Sequence, residues 1–246
     1  MNTFKNKLVF VFSIFLPISN YCLSQTTNIP RNEYGLQVIN KVSTYMATIA
    51  HNKNNELIRL KSYIPHLKTS FVYATDSNFT HTVLYKKPEA YLRKEAAMKL
   101  KQIAIELEKI GLGINVYDAY RPYSVTEKMW KVVPDNRYAA NPAEGSGHNR
   151  GASVDLTLYN LKTGKNLLMP TLFDDFTIKA HHNYMQLDSV VLVNRGILKN
   201  VMVKYGFVPL STEWWHYSLP NAAKEFYLMD LDFNQLKNIA TETPNH

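Results

Sequence analysis

The sequence predicts a single α+β domain with a mostly antiparallel sheet flanked by helices. Three observations support this prediction. Residues 88–110 carry an apolar stripe at helical spacing. Residues 153–160 alternate apolar and polar side chains, as expected for a strand with one buried face. Helical and strand-like segments are mixed without a regular βαβ alternation, which disfavours a parallel sheet.

Local patterns predict the remaining elements. In the predicted long helix, Pro88 suits the first turn and Gly111 the end. Ser124 and Glu127 form a capping-box pattern at the start of another helix. The turn at 162–165 favours a hairpin with the residues that follow it, 166–170. Further helices are predicted over 34–50, 124–133 and 189–205, and strands over 70–75, 114–120 and 211–219.

The first 24 residues are predicted to be a signal peptide. A short basic segment precedes the apolar run 8–18, which is too short to span a bilayer, and small residues follow before Gln25. Cleavage there leaves 25–246 as one domain, periplasmic or secreted and without a stable membrane anchor. An uncleaved anchor is the alternative. Lipid attachment through Cys22 is disfavoured because the preceding Tyr21 is bulky.

Composition excludes several classes of protein. Cys22 is the only cysteine, so the mature chain has no thiol for cysteine catalysis or for a thiolate zinc site. The formal charge of +8 is spread over scattered basic residues, and nucleic-acid binding is therefore not predicted. The charge favours at most a mild attraction to an anionic cell envelope.

Two short segments hold residues suited to metal chemistry. His148 lies in a polar loop, Asp155 follows on the polar face of a strand, and EWWHY contributes Glu213 and His216. Two imidazoles and one carboxylate suit a catalytic zinc with an open fourth position, and the second carboxylate suits a general base. Since positions i and i+3 of a strand point to opposite faces, Glu213 and His216 share a site only if their segment turns. Asp155, on the polar face of its strand, is free to be the ligand. The spacing does not decide which carboxylate is the ligand and which is the base.

Each motif alone has a plainer interpretation. His148 could be an ordinary loop residue, and the tryptophan pair of EWWHY is more often core packing than a substrate platform. Arg121 could form a structural salt bridge with Asp118 or Asp155.

In combination, these segments resemble a known family. SGHNRGASVD (146–155) resembles the SxHxxGxAxD signature of the zinc peptidases of family M15, the D-alanyl-D-alanine dipeptidases and D,D-carboxypeptidases. EWWHY (213–217) resembles their ExxH segment. DAYRP (118–122), YATDSNFT (73–80) and MPTLFDDF (169–176) with the following His pair are similar to the dipeptidase branch, the vancomycin-resistance type.

The resemblance implies a role for each matching residue. His148, Asp155 and His216 would bind one zinc per chain, and Glu213 would be the catalytic base. Arg121 would steady the scissile carbonyl as it becomes an oxyanion. The implied fold is the one that these peptidases share with the hedgehog signalling domain.

The resemblance also implies a substrate site for a small D,D-dipeptide. Tyr73 and Asp174 match positions that hold its ammonium group, and Ser146 matches a serine near its carboxylate end. Without the resemblance, Asp174 and Asp175 could be solvated loop acids.

The chain departs from the family pattern in three places. Ala152 and Ser153 stand in swapped order, and Asp76 is displaced by one position. The signal peptide is the larger departure, because the resistance enzymes act in the cytoplasm. The expected activity is therefore hydrolysis of D-alanyl-D-alanine during cell-wall peptide turnover. A D,D-carboxypeptidase that trims stem peptides is the nearest alternative, and a non-catalytic wall-binding module is the remote one. The sequence does not indicate the oligomeric state.

Overall fold

The computed structural model describes residues 28–242. The predicted signal peptide lies outside the described residues. Within them the helices are α1 Val42–His51, α2 Leu60–Tyr63, α3 Lys94–Glu108, α4 Tyr123–Val132, α5 Ser189–Lys204, α6 Ala222–Glu225 and α7 Phe233–Glu242. The strands are β1 Val38–Ile39, β2 Leu57–Arg59, β3 Lys68–Thr69, β4 Tyr91–Arg93, β5 Leu112–Asp118, β6 Ser153–Asn160, β7 Val208–Pro209, β8 His216–Ser218 and β9 Leu228–Met229.

A five-stranded sheet in the order β3-β5-β6-β8-β7 forms the centre of the fold. Only β3 pairs in parallel within it, and the other neighbours are antiparallel. Two small pairs, β1-β9 and β2-β4, lie outside this sheet. The predicted α+β class with a mostly antiparallel sheet is therefore confirmed.

The sheet is buried more completely than its sequence pattern predicts. The apolar face of β6, including Leu156 and Leu158, packs in one core with the stripe of α3 that holds Leu100 and Ile103. The polar face of β6 is buried too, from Ser153 onward. A buried polar face needs hydrogen-bonding partners, and it is this face that carries Asp155.

The long helix is shorter than predicted. It begins at Lys94 because residues 91–93 pair with β2, and Arg93 donates to backbone carbonyls, among them that of Arg150. At the other end Gly111 adopts a φ of +74°, the left-handed conformation that favours glycine after a helix. Ile110, part of the predicted stripe, is exposed.

Several other element boundaries differ from the sequence prediction. Residues 38–39 form a strand instead of the first turns of the 34–50 helix, and Val72–Ala74 form a 3₁₀ turn where a strand was predicted. The predicted hairpin return is a single bridge between Tyr159 and Asn166. The predicted capping box of Ser124 and Glu127 is wrong. Pro122 is the N-cap of α4, and the Ser124 amide donates to the Asp230 carboxylate. The helix predicted over 189–205 and the strand over 153–160 are confirmed.

Aromatic residues fill the space beside the sheet. Trp214 and Trp215 are almost fully buried, and Trp214 donates to the Thr171 hydroxyl. The core-packing interpretation holds for Trp214, whereas Trp215 packs in the core and also borders a cavity. Trp215 also contacts the rings of Phe173 and Phe176, which belong to the segment that carries Asp174. Across residues 28–242, every helix is too short or too polar to cross a bilayer.

Candidate metal and catalytic site

Three neighbouring strands place acidic and imidazole side chains in one row. Asp118 at the end of β5 lies opposite Asp155 in β6, and Asp155 lies opposite His216 in β8. The register of β5 shifts between Val116 and Asp118. This irregularity is what brings Asp118 into the row, since side chains in a regular strand alternate between faces.

His148 joins this row from a turn that precedes β6. The His148 carbonyl accepts the amides of Arg121 and Gly151, which fixes the turn against the loop after β5. Gly151 has a φ of +69°, and a Cβ there would lie 2.5 Å from Leu57 Cδ2. The glycine in the HxxG spacing is therefore required by the turn that returns the chain from His148 into the strand.

The donor atoms of His148, Asp155 and His216 converge. His148 Nε2 lies 3.3 Å from Asp155 Oδ2 and 3.2 Å from His216 Nδ1. His216 Nδ1 lies 2.8 Å from Asp155 Oδ1, and one donor atom from each residue falls within 4.8 Å of the others. The second nitrogen of each ring also has a hydrogen-bond partner. His148 Nδ1 lies 2.7 Å from the Ala119 carbonyl oxygen, and His216 Nε2 lies 3.0 Å from Ser218 Oγ.

This arrangement fits a zinc ion. Two imidazoles and one carboxylate are a known ligand set for catalytic zinc, and the outer hydrogen bonds orient the rings as they do in such sites. Burial alone would raise the pKa of Asp155, but His148 and His216 outweigh burial and hold this pKa well below its usual range. Burial lowers the pKa of His148, and Asp155 reverses the effect, so the net shift is upward. A negative carboxylate between two imidazoles favours a cation at this point.

Glu213 reaches the site because its segment turns before β8. The Glu213 amide donates to the Leu210 carbonyl, and β8 begins only at His216. The segment therefore turns before His216, as the sequence required for Glu213 and His216 to share one site. Burial, with a smaller contribution from Asp155, raises the pKa of Glu213 to about 7. A carboxylate with a pKa near neutrality is well matched to general base catalysis.

Two hydrogen bonds fix Arg121 beside the three candidate metal ligands. Its Nε and Nη2 atoms donate to Asp118 Oδ2 at 2.9 and 2.7 Å, and Tyr85 donates to Asp118 Oδ1 at 2.8 Å. The guanidinium lies 5.3 Å from the centre of the Tyr73 ring. Burial lowers the pKa of Arg121, but Asp118 and its neighbours outweigh this, and the net pKa is raised. The salt bridge to Asp118 therefore exists, and it holds a permanent positive charge at the wall of the cavity.

Asp174 points a carboxylate oxygen into the protein. The residue is half-buried with a left-handed φ of +62°, and Tyr73 donates to its Oδ1 at 3.1 Å. Its Oδ2 atom is buried and has no hydrogen-bond partner among the described residues. Burial, with Asp155 adding to it, raises the pKa of Asp174 to about 8. The solvated-loop interpretation of Asp174 is therefore wrong.

One cavity of about 200 Å³ joins all eight predicted residues. They are Tyr73, Arg121, Ser146, His148, Asp155, Asp174, Glu213 and His216. Ser146 is held by reciprocal bonds with Asn149, whose side chain accepts the Ser146 amide at 3.0 Å and whose amide donates to the Ser146 hydroxyl at 3.2 Å. Arg137, Tyr138 and Phe176 complete part of the wall.

Comparison with known proteins places the chain in a family. A family model described as D-ala-D-ala dipeptidase, Peptidase_M15, matches residues 53–235. This chain belongs to the M15 peptidase family. The D-alanyl-D-alanine dipeptidase of Escherichia coli K12 is 34% identical over 175 residues, which are 71% of this chain and 90% of that protein. The D-alanyl-D-alanine dipeptidase of Enterococcus faecalis V583 is 31% identical over 167 residues, 60% of this chain and 83% of that protein.

Solved structures match this M15 peptidase less closely. The LdcB LD-carboxypeptidase aligns with a TM-score of 0.40 and 20% identity, over 80% of this chain and 86% of that one. A vancomycin resistance D,D-pentapeptidase in complex with Zn(II) aligns with a TM-score of 0.34 and 15% identity, over 57% of this chain and 80% of that one. The family assignment rests on the sequence matches.

Sequence reasoning missed several residues that shape the site of this M15 peptidase. The sequence suggests Asp118 only as a salt-bridge partner of Arg121, although it also accepts the Tyr85 hydroxyl. Asn149 bonds the Arg121 carbonyl and the Thr126 hydroxyl, and no local pattern marks it. Of the His pair, His181 lines a neighbouring cavity that it shares with Glu213.

Proposed function

We propose that this M15 peptidase hydrolyses D-alanyl-D-alanine to two molecules of D-alanine with one bound zinc ion. The observation that carries the proposal is the buried, unpartnered Oδ2 of Asp174 in the same cavity as the metal ligands. Burial without a charged partner keeps the Asp174 carboxyl protonated near neutral pH, and a ligand that brings a positive charge favours its ionised form. The free ammonium of a dipeptide lies beside the scissile bond and supplies this charge.

The chemistry follows from the placement of charge. His148, Asp155 and His216 would hold the zinc ion, which would supply a Lewis acid for the scissile carbonyl and for the attacking water. Glu213, with its pKa near neutrality, takes the proton from the attacking water and delivers it to the leaving amine. Arg121, fixed by Asp118, faces the negative charge that develops on the carbonyl oxygen.

Two features of the cavity favour the dipeptidase over its alternatives. A D,D-carboxypeptidase acts on longer peptides, which present a neutral amide where the dipeptide has its ammonium. A neutral amide gains none of the charge attraction that an ionised Asp174 offers an ammonium, so the buried carboxyl favours the free dipeptide over such substrates. A non-catalytic wall-binding module has no need for a base, yet Glu213 stands with the three candidate ligands in the cavity.

The place of action is a separate part of the proposal. The basic start and the apolar run 8–18 support export of a mature chain beginning at Gln25. In the periplasm or outside the cell, the enzyme would act on dipeptide released during wall turnover, without a stable membrane anchor and without nucleic acid. N-terminal sequencing of the chain recovered from the producing cell tests this. An uncleaved Met1 on a cytoplasmic protein would contradict it.

The activity is tested with purified residues 25–246 loaded with zinc. D-alanyl-D-alanine, its N-acetyl derivative and a stem pentapeptide ending in D-Ala-D-Ala are supplied separately, and D-alanine release is measured. We expect rapid cleavage of the free dipeptide and at least tenfold slower cleavage of the other two. A Glu213→Gln preparation is the control for contaminating peptidases. Equal rates on the acetylated and free dipeptides would instead support the carboxypeptidase.

A further inference from the structure

We propose that Ser218 and Ser153 are positioning residues that fix the His216 ring with Nδ1 toward the metal. The inference rests on the proposed zinc site and deepens it. It starts from the ring's orientation, in which Nδ1 is the nitrogen close to Asp155 and His148. When Nδ1 donates to a metal it carries no proton, and Nε2 must then carry one. That proton needs an acceptor in a largely buried site.

Ser218 is the acceptor. Its Oγ lies 3.0 Å from His216 Nε2, two residues further along the same strand. Because a lone pair of Ser218 Oγ accepts the imidazole N–H, the Ser218 hydroxyl is free to donate its own proton to a second acceptor. Ser153 Oγ, 2.6 Å away and fully buried, receives it. The three groups form a directed chain from His216 through Ser218 to Ser153.

The sheet register holds this chain in place. Ser153 and Ser218 lie directly opposite each other in the pair of β6 and β8, two positions from Asp155 and His216. The same backbone ladder thus aligns the ligand pair and the hydroxyl pair. Gly147 leaves the space that the Ser153 hydroxyl occupies, since a Cβ there would overlap this oxygen. A side chain at position 147 would therefore displace the hydroxyl from the chain.

Metal affinity measured on folded protein tests the proposal. Partners of ligand imidazoles change metal affinity by about 10- to 100-fold when they are removed. We expect Ser218→Ala to weaken zinc binding by a factor in this range in a chelator competition. Ser153→Ala should weaken it less, by about threefold to tenfold, because Ser218 remains. Ser218→Thr keeps the hydroxyl and should restore most of the affinity. Ser70→Ala, which removes a hydroxyl that accepts a hydrogen bond from Asn115 in β5, is the control.

A structural role alone predicts a different result. It would lower the melting temperature of the zinc-free variants and leave the zinc affinity of the folded fraction unchanged. Zinc affinity of Ser218→Ala within twofold of the wild type would overturn the proposal. So would a folded Ser218→Thr variant that binds zinc as weakly as Ser218→Ala. If the wild type binds zinc but does not cleave the dipeptide, only the proposed function fails.

A double-mutant cycle gives an independent test. Gly147→Ala should displace the Ser153 hydroxyl and weaken zinc binding in the wild-type background. In the Ser153→Ala background the new Cβ would meet the Cβ at position 153 at 3.2 Å, so its effect on zinc affinity should be smaller. Strictly additive effects of the two changes would contradict a chain that runs through Ser153.

Discussion

Replacing Asp174 by Asn should weaken dipeptide cleavage and stabilise the zinc-free protein. In the wild type, Asp174 must ionise to bind the substrate ammonium, and losing one partner of such a buried charge pair costs about 2–5 kcal/mol. At about 1.4 kcal/mol per factor of ten, kcat/KM should fall by at least about 30-fold. Asn tolerates the left-handed backbone at this position, so the local conformation is retained.

The stability change follows from the raised pKa of Asp174. Between its usual value of about 3.9 and its folded value of about 8, the native state holds a proton that the unfolded chain has released. Stability of the wild type therefore falls as pH rises through this window. At pH 7 the difference spans about three pKa units, an upper bound of about 4 kcal/mol. Because the residue is partly exposed, screening reduces the expected gain from Asp174→Asn to about 1–3 kcal/mol.

The assay compares Asp174→Asn with Asp175→Asn. Asp175 is the adjacent acid, whose carboxylate accepts the Thr177 amide instead of lining the cavity. Urea unfolding of zinc-free protein is measured at pH 5 and pH 7, and cleavage is measured on zinc-loaded protein. We expect the stability gain of Asp174→Asn to be larger at pH 7 than at pH 5, and Asp175→Asn to keep its activity. A variant that loses stability at pH 7, or cleaves the dipeptide within threefold of the wild type, would refute the reasoning.

Further substitutions test the remaining roles of the metal, base and oxyanion residues. His148→Ala and His216→Ala should each lose bound zinc in metal analysis, and full occupancy in both would contradict the ligand assignment. Glu213→Gln should keep its zinc while turnover falls by about 10²- to 10⁴-fold. If it releases the metal and Asp155→Asn retains it, the two carboxylates have the opposite roles. Arg121→Lys cannot reproduce the two-bond fork and should lower kcat about 100-fold with unchanged zinc content, and wild-type kcat would argue against an oxyanion role.

Elements with strong local signals were predictable from sequence. The alternation in 153–160 and the apolar spacing in 189–205 matched β6 and α5 closely, because burial of one face imposes a fixed period. The start of α3 was not predictable. Residues 91–93 are a strand only because they pair with 57–59, more than thirty positions away in the chain. The short strands at 38–39 and 228–229 depend on each other in the same way.

The same distinction between local signals and long-range contacts applies to the candidate site. The sequence alone determined the chemical groups, since His148, Asp155, Glu213 and His216 sit in short motifs whose spacing is local. Only the tertiary structure decided how these groups act together. The register of β5, β6 and β8 sets Asp118 beside Asp155 and His216, and the turn before β8 brings in Glu213. Burial of a carboxylate oxygen, which depends on packing from distant segments, is what gives Asp174 its raised pKa. Sequence encodes which groups are present, whereas their distances and desolvation come from contacts between residues far apart in the chain.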